Sequence, residues 1–185
     1  IQQIVLRRLK REINARTNPP RFCTRNKPQA LVLELAPREL ALSAAFDSFR
    51  AGIRKCIASG ETRRRRAGNF AVEILGKRLL SCPMAFAESW RRCKEGIGEN
   101  AAATDGDVDA ARRIVERETG DDREAQAREA TAAGVVGAWL QNMAAALKSE
   151  IDALDDAIAG LGILLSEGEI TAQNPRVDAR FDSLV

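Results

Sequence analysis

Along most of the chain the apolar side chains recur at alternating steps of three and four. Leu42, Phe46, Phe49, Ile53 and Cys56 do so, as do Phe86, Trp90, Cys93 and Ile97, and then Val136, Leu140, Met143, Leu147, Ile151, Leu154, Ile158, Leu161 and Leu165. This spacing places the apolar residues on one face of a helix and excludes the period of two that a half-buried strand requires. Composition points the same way: aromatic residues make up 4% of the 185 and Tyr is absent, so Ala, Leu, Ile and Val carry the apolar load. Such side chains suit helix packing better than a β-sandwich. The fold expected is mainly α, a helical bundle with one long helix and a small β element near residues 22–36.

Punctuation along the chain sets the expected elements. A helix with Ile4, Val5, Leu9 and Ile13 on its apolar side is expected to about Ala15, stopped before Asn18-Pro19-Pro20. Leu31-Val32-Leu33-Glu34-Leu35 reads as a short strand, paired with residues near Phe22 to Arg25 or with a segment outside the chain. Pro37 suits the first position of a helix, with Glu39 in its first turn, and that helix is expected to end at Ser59-Gly60. Glu61 to Gly68 is expected as an exposed basic loop, Asn69 as the N-cap of the next helix, and Pro83 as the break before another. Glu99 to Asp109 is small and polar, the expected linker. Asp121 and Asp122 are candidate caps for a long helix, whose apolar stripe from Val136 to Leu165 would extend about 45 Å at 1.5 Å per residue. Three regions follow: a basic segment 1–98, an acidic helical insertion 99–175, and the start of a further helix over 176–185.

The net charge of +3 conceals a division. Residues 1–100 hold 21 basic and 9 acidic side chains, or +12, whereas residues 101–185 hold 8 and 17, or −9. Histidine is absent, which excludes a His-containing triad, an H-E-x-x-H zinc site and a neutral-pH imidazole switch. The patterns G-x-x-x-x-G-K-[ST], G-x-G-x-x-G and G-x-S-x-G are missing too, so no catalytic site is expected in this segment. No apolar run approaches 18 residues, and the expectation is a cytoplasmic chain with no membrane partner. Beginning at Ile1 and ending on Leu184-Val185, the chain reads as an excised piece. Cys23, Cys56, Cys82 and Cys93 match no C-x-x-C pair; they read as reduced structural thiols, with a four-thiolate zinc site as the alternative.

Two clusters bear on binding. Asp105, Asp107 and Asp109 alternate as in a calcium loop, but the sixth position of that frame is Ala110 instead of Gly and the ninth is Arg113, so capping or a solvated surface is the reading. Asp155-Asp156 is expected to face solvent. The run Arg63-Arg64-Arg65-Arg66, with Arg7, Arg8, Lys10 and Arg11 near the start of the chain, supplies candidate DNA contacts, because cations that neutralise phosphates release counterions and bind without reading sequence. The same run reads equally as a partner for the chain's own acidic half. Trp90 and Phe86 are placed by their spacing in the core, not on bases. The stripe from Val136 to Leu165 carries the alternative function, a coiled-coil interaction module that self-associates or binds a partner helix without nucleic acid.

Four blocks, in order, resemble one family. Ile4-Val5-Leu6-Arg7-Arg8-Leu9-Lys10-Arg11-Glu12-Ile13 resembles the "RRxK" block that closes the first RecA-like lobe of Swi/Snf-type helicase-like ATPases. Leu31 to Leu40 is similar to the strand and helix start that follow it, and Leu75 to Phe86 resembles the bacterial form of the "LRK-x-C-x-HP" segment, with Cys82-Pro83 where the family has His-Pro. Asp178 to Val185 is similar to the helix that introduces the second lobe. The resemblance implies an accessory helical domain between the two motor lobes of a bacterial ATP-dependent DNA translocase or helicase, such as those of DISARM-type phage defence. It further implies duplex DNA and the RecA-like lobes as partners, with ATP and Mg as cofactors of the parent and none in this segment.

Overall fold

A computed structural model describes residues 9–23, 34–99, 101–166 and 169–172, and the chain divides into two compact units, Ile1–Val32 and Leu33–Val185.

In the first unit helix α1 covers Lys10–Asn14. Glu12 accepts a hydrogen bond from the Leu9 amide at 3.2 Å and so occupies one donor of the helix start. After the helix, the Asn14 side chain closes a loop, donating to the Phe22 carbonyl at 2.6 Å and accepting from the Phe22 amide at 2.8 Å. Lys10 Nζ lies 5.6 Å from the centre of the Phe22 ring, within reach of a cation–π attraction. Phe22 is thus held by a side chain and belongs to no strand. Of the expected strand, Leu31 to Leu33 lie outside the described residues, and Glu34 and Leu35 have no ladder partner.

Among the described residues the second unit is a bundle of six helices: α2 (Pro37–Ile57), α3 (Thr62–Ser81), α4 (Pro83–Ile97), α5 (Asp105–Val115), α6 (Asp122–Leu140) and α7 (Lys148–Gly160). A single 3₁₀ turn, Gln141–Met143, follows α6. Pro37 opens α2 as its spacing predicts, and the Glu39 carboxylate accepts from the Ala36 amide at 2.9 Å. Leu42, Phe46, Phe49 and Ile53 are buried, with Phe70, Ile74 and Leu75 of α3 and Phe86, Trp90 and Cys93 of α4. The few aromatic residues meet there edge to face, Phe46 with Phe86 at 5.6 Å and Phe49 with Trp90 at 5.3 Å between ring centres. α4 and α6 cross so closely that a Cβ on Gly96 would overlap the Gly134 carbonyl, and one on Gly137 would overlap the Cys93 carbonyl.

Three expectations are corrected. Glu61 to Gly68 is no loop: α3 begins at Thr62, which puts all four arginines in its first turns and Asn69 in its interior. The long helix is broken at Gln141. Gln141 Nε2 donates to the carbonyls of Ile97 and Glu99 (3.2 and 2.6 Å), and Asn142 Nδ2 donates to that of Ala103 (3.3 Å), so these two side chains tie the break to the segment after α4. Val136, Leu140, Met143, Leu147, Leu154, Ile158 and Leu161 remain buried on both sides of the break, inside the chain's own core. Because the stripe keeps its phase through the turn, spacing alone cannot distinguish the broken path from a straight one. The β element among the described residues lies at the end of that stripe: β1 (Ile163–Ser166) and β2 (Glu169–Ala172) pair antiparallel, with Leu165 opposite Ile170. Gly162, at φ 75°, supplies the left-handed residue that turns the chain out of α7 into β1. Finally, Asp156 is exposed as expected, but Asp155 is half-buried. Its carboxylate accepts from Trp90 Nε1 at 2.8 Å and pairs with Lys94, joining α7 to α4.

The composition change at 99–109 therefore lies inside one compact unit, while the expected helix over 178–185 lies outside the described residues. No described helix is long and apolar enough to cross a membrane.

Candidate nucleic-acid interface

α2 and α3 form a helical hairpin joined by residues 58–61. The last turn of α2 brings Arg54 and Lys55 to the same end of the hairpin as Arg63, Arg64, Arg65 and Arg66 in the first turns of α3. Cations favour the C-terminus of α2 through its dipole; at the N-terminus of α3 the same dipole adds to the arginines' positive potential. All four arginines precede the buried face of α3, which runs from Ala67 and Phe70 onward.

The four side chains do different things. Arg65 is exposed and, among the described residues, reaches only the Thr62 hydroxyl, at 3.5 Å. Arg64 is half-buried and its Nε has no hydrogen-bond partner. Arg63 Nε and Arg66 Nη2 each lie 3.6 Å from Asp109 Oδ2 on α5, although both arginines are more than half exposed (58% and 57%) and Asp109 is 7% exposed. Asp109 Oδ1 is 3.9 Å from Arg112 Nε. Spacing assigns Asp109 to a solvated cluster; α5 buries it against the arginine run instead.

The other members of that acidic cluster are structural. Thr104 caps α5, and Asp107 accepts from the Thr104 amide and hydroxyl at 2.8 and 2.7 Å. These hydrogen bonds, reinforced by the Arg63 charge, hold the Asp107 carboxyl below the usual carboxylate range. Asp105 accepts from Trp139 Nε1 at 2.7 Å. Asp121 caps α6 through the Arg123 amide, as its position predicts.

Three further ion pairs join the acidic to the basic half. Glu129 on α6 pairs with Lys77 at 2.5 Å and Arg78 at 3.3 Å on α3, and Asp155 pairs with Lys94. Of the remaining candidate contacts, Lys10 and Arg11 are exposed on α1 in the other unit, and Arg7 and Arg8 lie outside the described residues. Arg54 and Lys55 belong to the basic tip but stand out neither as a run nor as part of a block, and only their place in the last turn of α2 marks them. Phe86 and Trp90 are fully buried, so neither presents a face for base stacking.

The cysteines are dispersed. Cys82 caps α4, its Sγ accepting from the Ala85 amide at 3.2 Å, and Cys23 is exposed in the first unit. Burial pushes the Cys93 thiol up to about 12, so it stays protonated and inert at neutral pH. Among the described residues no three Cys, Asp or Glu side chains are placed to hold a metal ion. What the tip offers chemically is charge, in the form of guanidinium groups able to make bidentate contacts to phosphate. Comparison of the chain with the models of known families, with curated proteins and with solved structures returns no match.

Proposed function

We propose that this chain is a helical accessory domain between the two motor lobes of an ATP-dependent DNA translocase of the Swi/Snf type, bracing the lobes and touching duplex DNA with the tip of its α2–α3 hairpin. ATP hydrolysis, with its Mg, belongs in this reading to the flanking lobes, and the segment itself is not an enzyme. One observation carries the DNA contact: between Arg54 and Arg66 the hairpin tip presents six basic side chains and a single acidic one, Glu61. The order of the four resembling blocks supports the placement between lobes.

Fluorescence anisotropy with a labelled duplex tests the contact. The chain is expected to bind at low salt, and replacing Arg63, Arg64, Arg65 and Arg66 with Ala should make the dependence of log K on log salt shallower by about 2 to 4, one step per lost phosphate contact. Equal binding by the two proteins, or no binding by either at low salt, would sink the proposal.

A further inference from the structure

Asp109 stands against the arginine run in an arrangement that capping does not explain. Its two oxygens lie among three guanidinium groups at 3.6, 3.6 and 3.9 Å, none close enough for a hydrogen bond. Neighbouring Asp107, by contrast, accepts two hydrogen bonds from Thr104 at its Oδ2. The two sides of the contact differ in freedom. Asp109 is buried on α5, whereas Arg63 and Arg66 are more than half exposed, so the arginines are the partners able to leave. Phosphate offers a guanidinium two short charge-assisted hydrogen bonds, which a carboxylate 3.6 Å away does not.

We propose that Asp109 is an internal stand-in for a DNA phosphate: it holds Arg63 and Arg66 against α5 in the free chain and cedes them to the duplex backbone on binding. The inference rests on the DNA-contact reading above and adds its regulation. Of the arginine run, only Arg65 is then fully available before binding, and the chain's affinity for duplex is lower than four exposed arginines would give. The exchange moves two side chains and no helix.

Two variants of the 185-residue chain test it by the same anisotropy titration. Asp109→Asn removes the competing charge and should tighten duplex binding about threefold at low salt, the size expected for one unit charge several ångströms from a phosphate in a water-like dielectric, with a salt dependence steeper by about 1 to 2. Gly106→Ala leaves the charge unchanged. A Cβ at Gly106 would sit 2.9 Å from Arg63 Nη2 and must displace that guanidinium, the mobile end of a flexible side chain, from the α5 surface. It should therefore tighten binding as well, and the gain should be lost when Arg63→Gln is added. If Asp109→Asn fails to fold by circular dichroism, Gly106→Ala decides alone, since Ala favours the helix. Both folded variants binding as the parent does would overturn the stand-in role and leave the DNA contact intact. No duplex binding by the parent or by either variant would overturn both.

Discussion

Where α4 and α6 cross, two backbones meet through Gly96 and Gly137, whereas at the tip of the α2–α3 hairpin five of six long cationic side chains are exposed. The crossing owes its tightness to missing side chains, and the tip owes its potential for binding to side chains that the core does not use. Close packing tolerates no added atom where backbones touch, and solvated side chains contribute little to stability. The same bundle therefore has one region in which sequence is dictated by space and another in which it is open to a function.

The sharpest way to break the crossing is Gly137→Ala. Its Cβ would overlap the Cys93 carbonyl, and backbone cannot rotate away as a side chain can, so a loss of about 3 kcal/mol or more is expected in a urea titration. Gly160→Ala is the control. Nothing lies within 4 Å of its Cβ at the end of α7, and it should be neutral or stabilising by up to about 1 kcal/mol. Trp90→Phe, next in size, leaves the Asp155 carboxylate without the indole donor and opens space between α4 and α7, a loss of about 2 kcal/mol.

Cys93 gives the crossing a pH dependence. Its thiol is raised from 9.0 to about 12 by burial, so above pH 9 the unfolded chain holds fewer protons than the folded one. This contribution is complete below pH 9 and is lost as pH rises from 9 to 12, at up to about 1.4 kcal/mol per unit. Cys93→Ala should flatten that part of the curve of unfolding free energy against pH. The smallest effect belongs to the tip: Arg65→Ala should leave stability within about 0.5 kcal/mol while lowering the slope of log K against log salt by about 1 in duplex titrations. A large loss of stability there would show that the tip serves the core and erase the contrast.

Much of the bundle was legible beforehand. Leu42, Phe46, Phe49 and Ile53, then Phe86, Trp90 and Cys93, are buried as their steps of three and four predict, and Pro37, Pro83 and Asp121 stand at helix starts. Helix period and terminal chemistry are local, which is why they can be read without coordinates. The break at Gln141 was not legible, because its cause is a set of hydrogen bonds to carbonyls more than 38 positions away. The strands at 163–172 were hidden for a related reason: Leu161 and Leu165 continue the helical stripe, and only the left-handed turn at Gly162 redirects it.

By itself the sequence determined a mainly helical chain, the helix starts at Pro37, Pro83 and Asp121, the division of charge between its halves, and the absence of histidine chemistry. Only the tertiary structure decided that those charges meet. It sets Asp109 against Arg63 and Arg66, Glu129 against Lys77 and Arg78, and Asp155 between Trp90 and Lys94. The partners in these contacts lie 43 or more positions apart in the chain. A period of 3.6 residues states which face of a helix is apolar, but not which other helix it meets; that choice comes from shape, here the glycine crossing that brings α6 onto α4 and the acidic half onto the basic one.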